Sequence, residues 1–173
     1  MKLTKEKIDI LLNGTSDERK YACSKSLLLF AVYYFPEYLT YRIADFQYDF
    51  YDDFEGLGDG SIKEAAWIAF RESAKTSIAK IGLVWLIAYG KKKYINVDSY
   101  DKENSERILF DVVLALQTNV RLKVDFGELY NVTRNKDEST MKRISNFVTN
   151  NKVRVEAHST QESVRGRLHG NQR

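Results

Sequence analysis

The sequence predicts an α/β fold, in which a mostly parallel sheet is flanked by helices and preceded by a helical segment. Residues 1–60 show helical spacing of apolar side chains together with helix-capping residues. After residue 60, apolar runs with the length of a buried strand alternate with helix-length segments. Such alternation is typical of parallel strands joined by crossover helices. We therefore divide the chain into a helical segment, 1–60, and an α/β core, 61–173.

Three helices are expected in the first segment. Thr4 is the predicted N-cap of a short helix that ends near Gly14, and Ser16 is the predicted cap of a longer helix that runs to Pro36. A third helix contains the aromatic and acidic stretch DFQYDFYDDF and is expected to stop in the glycine-rich stretch EGLGDG.

The α/β core begins with two strand–helix pairs. The runs EAAWIAF and KYINVD predict strands, and TSIAKIGLVWLIAYG and DKENSERILFDVVLALQTN predict the helices that follow them. The segment ISNFVTNNKVRVEAHS predicts two strands joined at an Asn-Asn turn, with Val153, Val155 and Ala157 pointing inward. The polar and basic stretch that follows has no apolar face.

Charge and cysteine content limit the class of protein. Residues 1–60 hold seven Lys/Arg and eleven Asp/Glu, whereas residues 61–173 hold twenty and thirteen. A basic second part favours a polyanionic partner, although unevenly charged solvated faces account for the counts equally well. The single cysteine, Cys23, is typical of a reducing compartment. Both long apolar runs are shorter than the roughly 20 residues of a membrane helix, so we expect a soluble, intracellular protein.

The stretch AFRESAKTS, residues 69–77, separates the first predicted strand from its helix. A phosphate-binding loop occupies this place with Gly, four residues and Gly-Lys-Ser/Thr, so that backbone N–H groups and the lysine hold phosphate and the hydroxyl holds Mg²⁺. Here Lys75 and Thr76 match, while Ala69 and Ala74 replace both glycines. Without glycine, we expect the loop to avoid the most strained backbone angles. The alternative is a plain strand–turn–helix with a surface lysine.

With these neighbours, WIAFRESAKTSIAKIGLVWLIAYGK resembles the ATPase centre of the large terminase subunit of tailed bacteriophages, the motor that packages DNA. Loops in that family often lack a glycine and have an arginine four residues before the lysine, where Arg71 stands here. IADFQYDFYDDF resembles the family's upstream aromatic-Gln segment. INVDSYDKENSERILFDVVLALQTNVRLKVDFG and NKVRVEAHSTQESVRGRLHGNQR resemble, in order, the strand–helix block and the Arg-Gly segment. The similarity covers roughly residues 36–173 and depends on the shared order of these segments.

The resemblance implies a P-loop NTPase-like fold with ATP and Mg²⁺ as cofactors. Lys75 is expected to bind the β/γ-phosphates, Thr76 to ligate Mg²⁺ through its hydroxyl, and Arg71 to act catalytically by stabilising charge on the transferred phosphoryl group. Gln47 is expected to read the adenine. The remaining expected nucleotide contacts are Glu72, Ser73, Ala74 and Ser77. Each residue also has a plain structural explanation as a solvated or helix-start side chain.

The resemblance also implies partners and an incomplete core. The partners are double-stranded DNA, the portal and the small terminase subunit, in a ring oligomer on the capsid, in the host cytoplasm and without membrane contact. Arg165 and Arg167 are candidates for contacting nucleic acid. In the family, the strand with the catalytic acids and a nuclease domain follow the Arg-Gly segment. Because this sequence ends at Arg173, we expect an N-terminal fragment with an incomplete sheet, weak nucleotide binding and negligible turnover alone.

Two other interpretations stay open. A helicase-like motor ATPase could have the same loop, and a non-catalytic protein could bind nucleic acid or a phage partner through its basic second part. Asp98 is a weak candidate for a catalytic acid, because Asn96 interrupts the apolar run before it. His158 and His169 lack Cys or His partners at zinc-ligand spacing, so no zinc site is predicted.

Overall fold

The computed structural model describes residues 4–130 and 144–160. Within these residues the protein is α/β, as predicted, with seven α-helices, one short 3-10 helix and three strands. The chain forms two compact units, Met1–Trp85 and Leu86–Arg173. Arg165, Arg167 and His169 lie outside the described residues.

The first unit is helical. Its elements are α1 (Lys5–Asn13), α2 (Ser16–Lys25), α3 (Leu27–Tyr34), a 3-10 turn (Pro36–Tyr38), α4 (Asp45–Asp59) and α5 (Lys75–Ala88), which continues into the second unit. The predicted cap of α1 is confirmed, since the Thr4 side chain accepts from the N–H of Lys7. The predicted end of α4 is confirmed at Gly60, whose φ is 85°. Among the described helices, none combines the length and apolar composition that a membrane crossing requires.

The N-cap of α2 is Thr15, one residue before the predicted cap. The Thr15 hydroxyl accepts from the N–H of Glu18 at 3.3 Å, and the Glu18 carboxylate accepts from the N–H of Thr15 at 2.8 Å. This reciprocal pair is a capping box, which satisfies two N–H groups at once. Ser16 is therefore the first helical residue and not the cap.

The helix predicted to continue to Pro36 is interrupted at Ser26. Ser26 has extended backbone with φ −144°, and its hydroxyl accepts from the N–H of Leu29 at 3.3 Å, so it caps a new helix, α3. The N–H of Leu27 donates to the carboxylate of Glu55, on α4, at 2.6 Å. The prediction of one helix was wrong because this second support comes from a residue 28 positions away.

Helix α3 forms the centre of the first unit. Its buried side chains are Leu27, Leu28, Leu29, Phe30, Ala31 and Tyr34. Helix α5 adds Trp85, whose Nε1 donates to the carbonyl of Cys23 at 2.8 Å. Helix α4 approaches α5 at Gly82, where a Cβ atom would lie 2.4 Å from the Phe54 ring. The Phe54 ring of α4 therefore packs directly against the backbone of α5. These two helices carry residues of the candidate site.

Residues 64–70, EAAWIAF, do not form the predicted strand. Ile68 is 99 % exposed, and within the described chain these residues have no strand beside them. A buried strand requires sheet neighbours, so the apolar run alone did not determine the structure. Trp67 instead packs on α4: its ring stacks on Phe50 at 4.8 Å, and its Nε1 donates to Asp53 at 2.9 Å.

The second unit contains a three-stranded mixed sheet. Its elements are β1 (Tyr94–Ser99), α6 (Lys102–Thr118), α7 (Val120–Phe126), β2 (Asn146–Val148) and β3 (Arg154–Ser159). The strand order is β1-β3-β2, with β3 parallel to β1 and antiparallel to β2. The predicted strands and the hairpin are confirmed, but the described sheet is mixed and not mostly parallel.

Helix α6 covers this sheet, contacting β1 and β3. It begins where predicted: Asp101 is the N-cap and accepts from the N–H of Glu103 at 3.0 Å. Its buried side chains recur at helical spacing and are Ser105, Leu109, Val112, Val113 and Leu116. Helix α5 ends near Gly90, as predicted, where φ is 59°.

Strand β3 is buried on both faces. The predicted inward residues in and next to it are confirmed as buried and are Val153, Val155 and Ala157. On the other face, Glu156 and His158 are also buried, which the alternating pattern did not predict. The Glu156 carboxylate accepts from the Tyr94 hydroxyl at 2.9 Å and from Arg154, and lies 3.0 Å from His158 Nε2. These hydrogen bonds offset the free-energy cost of burying the Glu156 carboxylate on this face of the strand.

The carboxyl group of Glu55 makes stability dependent on pH. Burial raises the pKa of Glu55 above the ordinary value of 4.5. The hydrogen bond from the N–H of Leu27 lowers this pKa, but by less than burial raises it. A raised pKa in the folded state means that protonated Glu55 favours folding. Its contribution is fully present below pH 4.5 and is lost as the pH rises through the folded-state pKa. We expect the melting temperature of the wild type, relative to Glu55→Gln, to fall over this range.

Glu18→Gln is the matched control, because the capping box lowers the pKa of Glu18. Its contribution is present above pH 4.5 and is lost as the pH falls, so its difference curve has the opposite slope. Melting curves recorded across the pH series measure both differences. A Glu55 difference that is constant or grows with pH contradicts the assignment.

Candidate functional site

The loop before α5 gathers the predicted phosphate-binding residues into one turn. Arg71 and Glu72 are exposed turn residues, whereas Ser73 is 2 % exposed. The carbonyl of Ala74 accepts from the N–H of Ile78 at 2.9 Å, which begins the helical hydrogen bonding of α5. The loop therefore passes directly into a helix N-terminus, whose first N–H groups have no intrahelical acceptor.

Two residues of this loop have left-handed backbone. Glu72 has φ 69° and Ala74 has φ 64°. Ala74 stands immediately before the lysine, where the phosphate-binding pattern has glycine. A φ of 64° lies in the left-handed region that residues other than glycine can enter, so the expectation that the loop avoids the most strained angles stays a prediction. Such a conformation is open to residues other than glycine, at a cost of about 1–2 kcal/mol for each residue; it clusters at ligand-binding sites but also occurs in turns, as at Lys152, with φ 64°.

The lysine and the hydroxyl lie at the start of α5. Lys75 is the first helical residue, and its Nζ donates to the carbonyl of Phe70 at 3.4 Å. Its side chain therefore folds back over the loop. Thr76 follows and is exposed. A cation and an exposed hydroxyl are thus adjacent at a helix N-terminus, the arrangement that anions favour.

Ser73 has a buried hydroxyl without a partner. Among the described residues, its Oγ is the one buried side-chain nitrogen or oxygen that makes no hydrogen bond. An unsatisfied buried polar atom destabilises a protein by about 1–3 kcal/mol. Ser73 lies between the left-handed residues Glu72 and Ala74. The unsatisfied hydroxyl and the backbone strain therefore occur in the same short loop. Such concentration is typical of sites kept for a ligand.

The side chain of Gln47 connects α4 to this loop. Its Oε1 accepts from the N–H of Ala44 at 2.9 Å, and its Nε2 donates to the carbonyl of Ser73 at 3.0 Å. The structure thus places Gln47 beside the loop, as the sequence predicted. An amide carries two donor hydrogens and two acceptor lone pairs, so one of each remains for a ligand.

A cavity of about 220 Å³ lies beside the loop. Its walls include Tyr38, Tyr41 and Arg42, which precede α4, together with Gln47 and the loop residue Glu72. Sequence reasoning missed the first three, because they lie in an irregular stretch with no recognisable motif. Ser77, predicted to line the site, does line this cavity. An aromatic wall with a few polar groups is the usual character of a small-molecule pocket.

Tyr51 supplies a neutral donor to the cavity wall. Burial raises the pKa of its hydroxyl to about 12, with a smaller contribution from Tyr48. The group therefore stays protonated at neutral pH and can donate a hydrogen bond. In the cavity and the loop the charged side chains are Arg42, Arg71, Lys75 and Glu72, although α4, which carries Tyr51, has six acidic residues and no Lys or Arg. The balance within the cavity and the loop suits an anionic ligand.

The side chains near the loop offer few ligands for a metal ion. In the part of the chain that the structure describes, no group of three His, Cys, Asp or Glu side chains could hold an ion. The hydroxyl of Thr76 is one oxygen ligand next to Lys75. A single hydroxyl fits Mg²⁺ that is held chiefly by the phosphates of its ligand, which is the usual manner of binding this ion.

Replacing Ser73 by alanine tests whether its hydroxyl lacks a partner in the ligand-free protein. We expect Ser73→Ala to leave the free energy of unfolding unchanged or raise it by up to about 1 kcal/mol, because an unsatisfied polar atom is removed. Ser26→Ala is the control: Ser26 is also fully buried, but its hydroxyl caps α3. Its loss costs about 1 kcal/mol. Urea unfolding curves measure both, and equal destabilisation would refute the assignment.

Comparison of the chain with protein-family models, with curated proteins and with solved structures finds no match. What supports a function is therefore the geometry of this site together with the resemblance in sequence.

Proposed function

We propose that the loop before α5 binds the phosphates of ATP and that the protein is the ATPase part of a terminase-like DNA-packaging motor with a P-loop NTPase core. The observation that carries the proposal is the left-handed φ of 64° at Ala74. This residue directly precedes Lys75, and left-handed backbone is what glycine supplies at this point of a phosphate-binding loop. Ala74 thus supplies, at this one position, the backbone conformation for which glycine is usual.

The chain's own side chains divide the work of binding. The N–H groups at the start of α5 and the Lys75 ammonium would hold the β- and γ-phosphates. Lys75 would exchange the Phe70 carbonyl, at 3.4 Å a long acceptor, for a phosphate oxygen. Arg71 would stabilise charge on the γ-phosphoryl group, which is the catalytic role proposed for it. Thr76 would ligate Mg²⁺, which neutralises phosphate charge when it is bound.

The cavity beside the loop is the proposed site of the adenine. Tyr38 and Tyr41 offer aromatic faces for the ring, and the Tyr51 hydroxyl is a protonated donor. Gln47 has one donor and one acceptor left for the base edge. The cavity and the loop share Glu72 and Ala74, so a base in the cavity would place its phosphates toward Lys75.

The wider assignment depends on the order of the sequence segments. A terminase ATPase would couple hydrolysis to movement of double-stranded DNA, with the portal and small terminase subunit as partners in a ring on the capsid. In-line attack by water on the γ-phosphate would gain most of its acceleration from positioning and charge stabilisation. Residues Arg165 and Arg167 are proposed to face the DNA.

Lys75→Ala tests nucleotide binding. We expect a fluorescent ATP analogue with Mg²⁺ to bind saturably to the wild type and about tenfold or more weakly to the variant, because a charge-assisted phosphate contact is lost. Lys63→Ala, which removes an exposed lysine outside the cavity and loop, should bind as the wild type does. Fluorescence titration measures all three, and phosphate release in the same samples separates binding from turnover. Equal affinity of Lys75→Ala and the wild type contradicts the proposal.

Gln47→Ala tests the adenine role. We expect a larger loss of affinity for ATP than for inorganic tripolyphosphate, because the second ligand has no base to contact. Competition of each ligand against the fluorescent analogue gives the two ratios. If both affinities fall by the same factor, Gln47 acts on the phosphate loop alone and the adenine assignment is wrong.

A further inference from the structure

The apolar segment Ala65–Phe70 has the exposure pattern of a strand that lacks its partner. Trp67 and Ala69 are half-buried, whereas Ile68 is 99 % exposed and Phe70 is 66 % exposed. Over residues 67–70 this alternation has the period of two residues of a strand with one covered face, whereas Ala65 and Ala66 are both exposed. None of these residues has a positive φ, so the backbone permits pairing.

The backbone of this segment offers its hydrogen-bonding groups to a partner. Within residues 4–130 and 144–160, no backbone–backbone hydrogen bond involves it. The carbonyl of Phe70 accepts from the side chain of Lys75, and the other polar contact of the segment is the indole N–H of Trp67. A row of unpaired N–H and C=O groups is the template on which proteins add a strand.

A groove of about 370 Å³ lies between the segment and one face of α4. Helix α4 contributes two aromatic and two acidic side chains at helical spacing, Phe46, Asp49, Phe50 and Asp53. The rings of Phe46 and Phe70 are 5.6 Å apart. Trp67 of the covered face and Phe70 of the exposed face thus both contact aromatic side chains of α4, and the groove lies between the segment and the helix.

The charge of α4 indicates what the groove would accept. The helix contains six acidic residues and no Lys or Arg; two of the six, Asp49 and Asp53, line the groove, and Asp53 accepts from the indole N–H of Trp67. Asp49 lines the groove and is exposed. Negative potential over an apolar groove attracts Lys and Arg side chains and disfavours acidic ones. The unpaired backbone, the apolar groove and the acidic side chains together indicate a partner segment that is extended, partly apolar and basic.

We propose that residues 65–70 and the adjoining face of α4 bind an extended segment of a partner protein, in which apolar side chains alternate with Lys or Arg. The partner's backbone pairs with the segment, its apolar side chains cover Ile68 and Phe70, and its cations approach Asp49. Backbone pairing supplies affinity and the alternate side chains supply specificity. This surface adjoins the proposed nucleotide contacts at the Phe70 carbonyl, which accepts from Lys75, but the partner's binding needs no nucleotide.

The test uses the full chain and two fluorescein-labelled peptides, one of alternating Val and Lys and one of alternating Val and Glu. Fluorescence anisotropy should show saturable binding of the Lys peptide that weakens with salt, and binding of the Glu peptide that is about tenfold weaker or absent. No binding of the Lys peptide, or equal binding of both, overturns the proposal.

Two variants locate the interaction. Ile68→Pro removes one backbone N–H and one apolar side chain, and should weaken the Lys peptide about tenfold. Asp49→Asn changes charge alone and should weaken it a fewfold and reduce the salt dependence, whereas Asp17→Asn, an exposed aspartate on α2, should have no effect. Unchanged affinity in both groove variants overturns the proposal. Sedimentation that shows a dimer lost in Ile68→Pro would make a second copy of this chain the occupant and would also overturn it.

Discussion

The side chain of Gln47 makes the contact on which the candidate site depends. It joins the N–H of Ala44, at the start of α4, to the carbonyl of Ser73 in the loop before α5. Two left-handed residues and an unsatisfied hydroxyl together raise the free energy of this loop by several kcal/mol. The loop can keep this conformation only where surrounding contacts stabilise it. Gln47 supplies that support through two backbone groups. The same side chain therefore determines both the shape of the loop and the wall of the cavity.

The loop has left-handed backbone at the position where the proposed phosphate-binding pattern has glycine. Alanine at position 74 has φ 64°, near the small left-handed region that ordinary residues can enter. Bulky or β-branched side chains there would be strained further, whereas alanine adds only one methyl group. The energy stored in the loop is available to a ligand that satisfies the Ser73 hydroxyl or the helix N–H groups. Under the proposed function, the backbone of the loop would preorganise the site without the glycines that a motif search requires.

Local signals predicted most elements, and long-range contacts decided the rest. The caps at Thr4 and Asp101 and the turn before β3 were predicted because each depends on neighbours in sequence. The break at Ser26 depends in part on Glu55, and the missing strand at residues 64–70 depends on sheet neighbours, so neither was visible in a local pattern. Lys75 and Gln47 were predicted as site residues from their sequence segments, and the structure places both at the loop. The tyrosines of the cavity were missed because only the packing of α4 brings them to the loop.

The most direct test of the central claim is an amide ¹H–¹⁵N titration of the ¹⁵N-labelled protein with ATP and Mg²⁺. If the loop binds phosphate through its backbone, the amide signals of residues 71–76 shift saturably, and they shift with tripolyphosphate as well. The signals of α1, which lies outside the cavity and loop, should stay in place. Saturable shifts confined to other residues, or none at any concentration, would contradict the account and leave the loop as a strained turn.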